Sequence, residues 1–430
     1  MSRRGAKAIA VVALVCALVI GWNSALRNDI APAEAHTTKP VSKGSAAPET
    51  RASRTPLQEE SAKAVEEATQ LVGRAKVTSV SPDANLDSLF TDYGNSGQGW
   101  TGGDGGASTE LPDGRIFWAF SDTWLGPVSP GGTRPPDKQL LSNVAVIQSG
   151  SRLTTLYGGT PSAPAPFLTT GMPHVYYWNN GAIVANNTLY VSYSGYFINP
   201  WTFTFPQFDT IFAEYSLPSL SLETLTAVDL GPKVKWGICM LNDGGYTYIY
   251  GAGFGSASYN ETYMYVARAP QTDVLGPWQF FTGTSWSDNP NDAAPLNDVV
   301  RDPYSVGKVG GVYVLFTMQD APFSTEMQAY FGPTPVGPFS HGQDIYSTTA
   351  TPGLNASSTD EVYEYGAYLH PEFTKGDTVV LSYQVNSRTA ADYAVVSLIR
   401  PRYLDITIGF DDAATQSAKT TGRPPTARRA

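Results

Sequence analysis

Cysteine is nearly missing from this chain of 430 residues, which holds only Cys16 and Cys239. Cys16 lies in the N-terminal apolar run, so removal of that run leaves Cys239 without a partner, and neither an internal disulfide nor a cysteine metal cluster can form. In "KWGICML" Cys239 reads as a small buried hydrophobe. Histidine is scarce too, with four residues, and no H-E-x-x-H, P-loop or nucleophile elbow occurs. The usual signatures of zinc hydrolases, nucleotide-binding folds and α/β-hydrolases are therefore absent. Charged residues make up 15% of the chain, against roughly 25% in an ordinary soluble domain. The net charge is −10, and basic residues cluster only at the two ends. Without a basic stripe to displace counterions from phosphates, nucleic acid is not expected as a partner.

Long apolar runs are also missing, with one exception. Arg3, Arg4 and Lys7 precede "AIAVVALVCALVIGW", near the upper limit of about 15 residues for a signal core and short of the ~20 that span a bilayer. Residues 1–35 therefore read as an export signal with an A-x-A site at Ala33-Glu34-Ala35, an uncleaved anchor being the alternative. The expected location is outside the cytoplasm, secreted or held at the cell surface. Residues 36–85 read as a polar linker carrying one short helix over 56–72, with Thr55 as cap, Pro56 in the first turn and Gly73 at the end. The tail over 409–430 is too polar to fold.

What is present in quantity is aromatic and β-branched. Aromatics reach 12%, and between Leu86 and Ile408 short strands alternate with Gly, Pro, Asn and Asp turns, almost without helical periodicity. This is an all-β pattern. It recurs five times, each time as a strand, a tight polar turn, a strongly apolar second strand, a third strand and a weaker fourth. The turns are Pro112-Asp113-Gly114, Asn186-Asn187, Asp243-Gly244-Gly245, Gly310-Gly311 and Lys375-Gly376. The second strands are "RIFWAFS", "LYVSYSG", "YTYIYGA", "VYVLFTM" and "TVVLSYQV"; third strands read in "NVAVIQS", "DTIFAEYS", "YMYVARA", "MQAYFGP" and "YAVVSLI". A five-bladed β-propeller over 86–408 accounts for this recurrence, and the region is expected to fold without the segment before it.

In a propeller the innermost strand of each blade begins at the top rim of the central channel, and the second strand returns there. In "GWTGGDGGASTELPDGRIFWAFSDTWLG" a three-residue loop at Pro112-Asp113-Gly114 pairs residues whose numbers sum to 226, which sets Asp104 opposite Asp122 with Cβ atoms roughly 5 Å apart. A two-residue loop would put them on opposite faces, and the glycine pairs at 102–103 and 105–106 leave room for a bulge that changes the register again. Two facing carboxyls repel, so one keeps its proton near neutrality, and a protonated acid beside an ionised one is the machinery for cleaving a glycosidic bond. The structural alternative is that Asp122 caps the loop "SDTWLG" while Asp104 organises a glycine turn.

Counting back from the turns places further acids at the rim. Asp302 in "VVRDPYS" precedes its turn as Asp104 does, with an ion pair to Arg301 as the bland alternative, and Glu364 lies just above the fifth inner strand, where it could instead face solvent. Trp100, Trp124, Trp236 and Tyr365 are candidates to line a sugar-stacking cleft, although propeller cores also use aromatics. Asn143 starts a third strand and is a candidate for a hydrogen bond to ligand or to Asp122. His370 falls inside an inner strand, as a satisfied core histidine or as a ligand-binding group.

With these residues in view, the chain resembles a family of secreted bacterial five-bladed propellers long known only as domains of unknown function, some of them grouped with the endo-D-arabinanase glycoside hydrolases. The likeness rests on "GGDGG…LPDGRIFWAFSDTWLG", "WGICMLNDGGYTYIYG", "YMYVARAP…GPWQFFTGTSW" and "YGAYLHPEF…VVLSYQVNS", in that order. The resemblance implies that Asp104 and Asp122 are working acids, and the wider clan implies a third from another blade, with Asp302 and Glu364 as candidates. The expectation is thus an exported glycoside hydrolase acting on a furanose-rich polysaccharide of the arabinan or D-arabinan type, as a monomer. No cofactor or metal site is predicted, a calcium ion in the channel being left open. The rival is a non-catalytic glycan-binding propeller of the cell surface.

Overall fold

The computed structural model describes residues 56–169, 171–198, 207–228, 234–254, 262–296, 299–319, 324–348 and 361–411. The expected signal segment, the linker up to residue 55 and nearly all of the tail lie outside them. Five antiparallel sheets of four to six strands form the five blades of a β-propeller, joined by a small two-stranded ribbon. The inner strands are Trp100–Glu110, Val175–Ala185, Val234–Asp243, Ser305–Val309 and Val362–Lys375, for blades 1 to 5. The second strands read as unbroken apolar runs because neighbouring blades cover both their faces: every residue of Val312–Met318 is buried, and all but Asp122 of Ile116–Leu125.

The turns that punctuated the sequence supply the backbone geometry. Asn186-Asn187, Gly244-Gly245 and Gly310-Gly311 have positive φ at both positions, as two-residue hairpins with right-twisted strands require. The blade 1 turn is the expected three-residue loop. Leu111 N–H bonds Arg115 C=O at 2.7 Å, and Gly114 takes φ +81°. In blade 5 the turn falls one residue later than expected, on Gly376-Asp377, because Lys375 pairs with Thr378.

Two departures from the sequence reading concern how the ring closes. The third strand of blade 5 is Arg400–Phe410, not "YAVVSLI". Residues of that segment are buried, among them Val396, Leu398 and Ile399, but they pack beside the blade instead of joining its ladder, which composition alone does not distinguish. The outer strand of blade 5 is Ala75–Pro82, paired antiparallel with Arg400–Phe410 from Ala75↔Phe410 to Pro82↔Leu404. The segment read as linker therefore ends inside the propeller, and a boundary at residue 86 cuts a blade.

Helix α1 (Pro56–Val72) forms where its capping signals place it. Leu71 and Val72 pack against the core shared by blades 4 and 5, as a strut. A second helix, α2 (Ala84–Ser96), is new. Asp83 caps it by accepting from Asn85 and Leu86 N–H, and Gly97 ends it at φ +67°. It buries little beyond Leu86 and Phe90, too few positions for a visible period. Phe90 nevertheless seals the junction of blades 1 and 5, its ring centroid 5.0 Å from Trp118 and 5.3 Å from both Trp100 and Tyr403. Since Ala75–Pro82 completes blade 5, a chain starting at residue 86 should melt at least ~2 °C below one starting at residue 74, the shift that about 1 kcal/mol produces in a domain this large. Calorimetry on both truncations checks this, and equal melting temperatures would make the strand dispensable.

Candidate active site

Asp104 and Asp122 sit on the blade 1 hairpin at the end where inner strands begin. The register that sums to 226 holds from Glu110↔Ile116 to Ala107↔Ala119, slips at Gly105↔Phe120, and returns at Gly103↔Thr123. Asp104 alone thus faces Ser121 and Asp122 together, in a bulge instead of a regular rung. Bulges re-aim side chains, and the glycines permit this one. Gly105 takes φ +82°. At Gly102, with φ +146°, a Cβ would lie 2.1 Å from the Ile399 carbonyl oxygen.

Neighbouring blades clamp the two acids. Tyr365 Oη donates to Asp104 Oδ2 at 2.8 Å, and Asn386 Nδ2 donates to the same hydroxyl at 3.3 Å. Gln384 Nε2 of the same blade donates to Gly105 C=O. From blade 2, Trp178 Nε1 donates to Asp122 Oδ1 at 2.9 Å. Asp104 Oδ1 is buried without a hydrogen-bond partner. Both residues keep part of their surface open while protein walls their carboxyl groups. Burial raises Asp104 to about 6, opposed by the Tyr365 hydrogen bond. Burial, reinforced by the negative charge of Asp104, pushes Asp122 well above the carboxylate range, with Trp178 opposing.

Asp302 joins this neighbourhood, paired with Lys235 Nζ at 2.9 Å, not with the adjacent Arg301. Burial works against the Lys235 ammonium, but Asp302 outweighs it and the pKa is raised. Tyr368 links the acids: burial, with the fields of Asp104 and Asp302, raises its phenol well above the usual value. Tyr196 lies in the fields of Lys235 and Asp302 and packs against Trp178, the ring centroids 4.4 Å apart and the planes tilted by 44°. Sequence reading missed Trp178, Tyr196, Lys235 and Tyr368. Trp178, Tyr196 and Lys235 lie near the rim ends of inner or second strands, where the turn count that found Asp302 could have reached them; Tyr368 lies mid-strand and lines the channel.

Other expected residues take structural posts. Glu364 points to the face of its strand opposite Tyr365, toward Arg402; burial raises its pKa and Arg402 opposes. This separates it from the Asp104–Asp122 pair and removes it as the third acid. Trp100 and Trp236 are fully buried in blade cores, and Trp124 packs beneath Lys138 and against Tyr393. None of the three lines a cleft. Asn143 does not bond Asp122: its amide donates to Leu168 and Tyr177 C=O and accepts from Leu168 N–H, tying the ribbon segment to blades 1 and 2. His370 is a core histidine, held between Ser108 Oγ at 2.6 Å and Ser382 Oγ at 2.9 Å, with burial lowering it to about 3. Only Tyr365, of the six expected binding residues, reaches the acids.

A cavity of about 380 Å³ lies on the propeller axis, lined by the inner strands of all five blades. It opens toward the inner turns, where Glu110, Asn242 and Glu372 stand, and Asp104 and Asp122 are not among its walls. Burial, with the charge of Glu110 adding and Ser108 opposing, raises Glu372 to about 7.

Fold and site together define a five-bladed propeller that carries a buried carboxyl pair at one end of its channel. Residues 87–407 match the family described as a domain of unknown function, DUF5005, and the chain belongs to that family. Among solved structures it is similar to a "putative hydrolase" from Bacteroides ovatus ATCC 8483, at 20% identity and a TM-score of 0.62, covering 80% of this chain and 93% of that one. A GH43_1 enzyme from Xanthomonas citri complexed with xylose aligns at 11% identity, TM-score 0.42, over 82% and 94% of the two chains. An exo-β-1,3-galactanase from Phanerochaete chrysosporium aligns at 12% identity, TM-score 0.42, over 74% and 64%. No curated protein matches the chain.

The shifted acids carry a stability signature. A carboxyl whose folded pKa lies above its unfolded value holds its proton more tightly when folded. Its contribution is therefore complete below the unfolded value and is lost as pH rises through the folded one. Asp122→Asn should accordingly raise the melting temperature at pH 8 and leave it nearly unchanged at pH 4. Thermal melts at the two pH values check the sign, and a variant less stable at pH 8 would assign Asp122 a capping role.

Proposed function

We propose that the protein is a glycoside hydrolase that cleaves a furanose-rich polysaccharide of the arabinan or D-arabinan type. The observation that carries this reading is the carboxyl pair on one bulged hairpin, whose surroundings split the two groups. Tyr365 donates to Asp104 and favours its ionised form, whereas Asp122 feels both burial and the charge of its partner. Asp122 then enters the reaction protonated and delivers that proton to the glycosidic oxygen. Asp104 supplies the carboxylate that an oxocarbenium-like transition state needs, as base or nucleophile. The furanose preference rests on the resemblance to the endo-D-arabinanase propellers, and export rests on the N-terminal signal pattern.

The two groups share a charge field, so the site titrates as a pair with macroscopic values. Activity should rise as the first proton leaves near pH 6 and fall once the second is lost, giving a bell-shaped profile of kcat/KM. Incubation with arabinan, D-arabinan and arabinogalactan, followed by analysis of released oligosaccharides, tests the reaction. Binding without release would leave the glycan-binding propeller. Asp104→Asn and Asp122→Asn should each lower turnover by at least ~10²-fold, the usual scale for a positioned acid or base, with folding intact. Near-normal turnover in a well-folded Asp104→Asn protein would remove that residue from the mechanism.

A further inference from the structure

The ion pair between Lys235 and Asp302 joins two blades that contribute neither carboxyl of the proposed pair, and both side chains remain accessible, 18% and 26% exposed. Two neighbouring tyrosines lie between it and those carboxyls. On one side Tyr196 lies in the fields of Lys235 and Asp302 and packs against Trp178 at a 44° tilt, and Trp178 donates to Asp122. On the other, Tyr368 lies in the fields of Asp302 and Asp104 together. An ammonium carries three hydrogens and a carboxylate about four lone-pair positions. The contact from Nζ to Oδ2 uses one of each, so the pair has capacity left for a ligand. Beside it stands the half-buried Trp178–Tyr196 aromatic pair.

Resting on the glycosidase reading, we infer that Lys235 and Asp302 form a subsite for a neutral sugar ring with two adjacent hydroxyls, next to the bond that Asp104 and Asp122 cleave. One hydroxyl donates to Asp302 and its neighbour accepts from Lys235, while the Trp178–Tyr196 pair supplies an aromatic surface for the ring's C–H groups. Asp302 is then a binding residue rather than a third proton-transfer acid. The mutual pairing leaves the subsite without net charge. The nearby Asp104 and Asp122 add negative charge, so a ring carrying a carboxylate is held off.

The test uses the arabinan that the wild-type protein cleaves. Asp302→Asn and Lys235→Gln should each raise KM ~10-fold, the scale of one lost charge-assisted hydrogen bond, and Lys235→Arg should restore most of the affinity. In all three, kcat should stay within about threefold of wild type, which separates binding from bond cleavage. Asp302→Asn leaves the ammonium unpaired, so its activity on uronate-bearing arabinogalactan relative to neutral arabinan should rise. A kcat loss of ~10²-fold at unchanged KM would make Asp302 part of the chemistry and overturn the inference. Unchanged KM in well-folded variants would overturn it as well. Should a single variant unfold, the double variant Lys235→Gln/Asp302→Asn leaves no charge unpaired and must show the same KM rise. If the wild-type protein cleaves no polysaccharide, the glycosidase reading fails. Calorimetry with arabinan oligosaccharides on wild-type and Lys235→Gln protein then decides the subsite alone, and equal binding overturns it.

Discussion

A ring of five blades holds only if its first and last blades bond as firmly as the rest, and here aromatic packing, a buried histidine and a buried arginine together close that junction. Phe90 wedges into it from α2, with Trp118 and Tyr403 on either side. Ser108 of blade 1 meets Nδ1 of His370 across it, while Ser382 of blade 5 holds the other ring nitrogen. Arg134 is buried there without a carboxylate, donating to Thr101 Oγ1 and to the carbonyls of Tyr393 and Val395, and its burial lowers the guanidinium to about 9. Burying that cation costs free energy unless its hydrogen bonds are met. The carbonyl cage meets them, and the segment that supplies it is the apolar stretch that never became a strand.

The proposed chemistry sits on the same junction. Asp104 belongs to blade 1, yet its hydrogen bond comes from Tyr365 of blade 5, and the neighbouring Gly105 carbonyl is held by Gln384. The bulge that turns Asp104 toward Asp122 is thus fixed from outside its own sheet. A carboxyl pair enclosed this way opposes folding at neutral pH, and the closed ring supplies the packing that offsets it. Strain from like charges at a site, balanced by burial elsewhere, is a familiar arrangement in catalytic centres.

The repeat architecture was legible because each blade is written locally: Asn186-Asn187, Gly244-Gly245 and Gly310-Gly311 announce hairpins through backbone conformations that few residues adopt. The Asp104–Asp122 proximity followed from counting away from Gly114, although the route taken by the chain is a bulge and not a rung. What composition could not show was long-range. Ala75–Pro82 looks like linker because half its positions face solvent and its partner lies more than three hundred residues away. Trp100, Trp124 and Trp236 looked like sugar platforms because burial cannot be read from residue type, and in a propeller the same aromatics fill the wedges between blades. Glu364 and Tyr365 are adjacent yet face opposite sides of their strand, which a one-residue uncertainty in register cannot resolve.

The pairing of Ala75 with Phe410 also fixes how the propeller hangs on its chain. The polypeptide enters and leaves the ring side by side, with Asp411 N–H bonded to Arg74 C=O at 3.0 Å and Lys76 paired with Asp411. A domain whose two ends meet in this way can be set into a longer chain without spreading its host. That point of attachment, at the outer edge of blade 5, lies apart from Asp104 and Asp122, which belong to the first hairpin of blade 1.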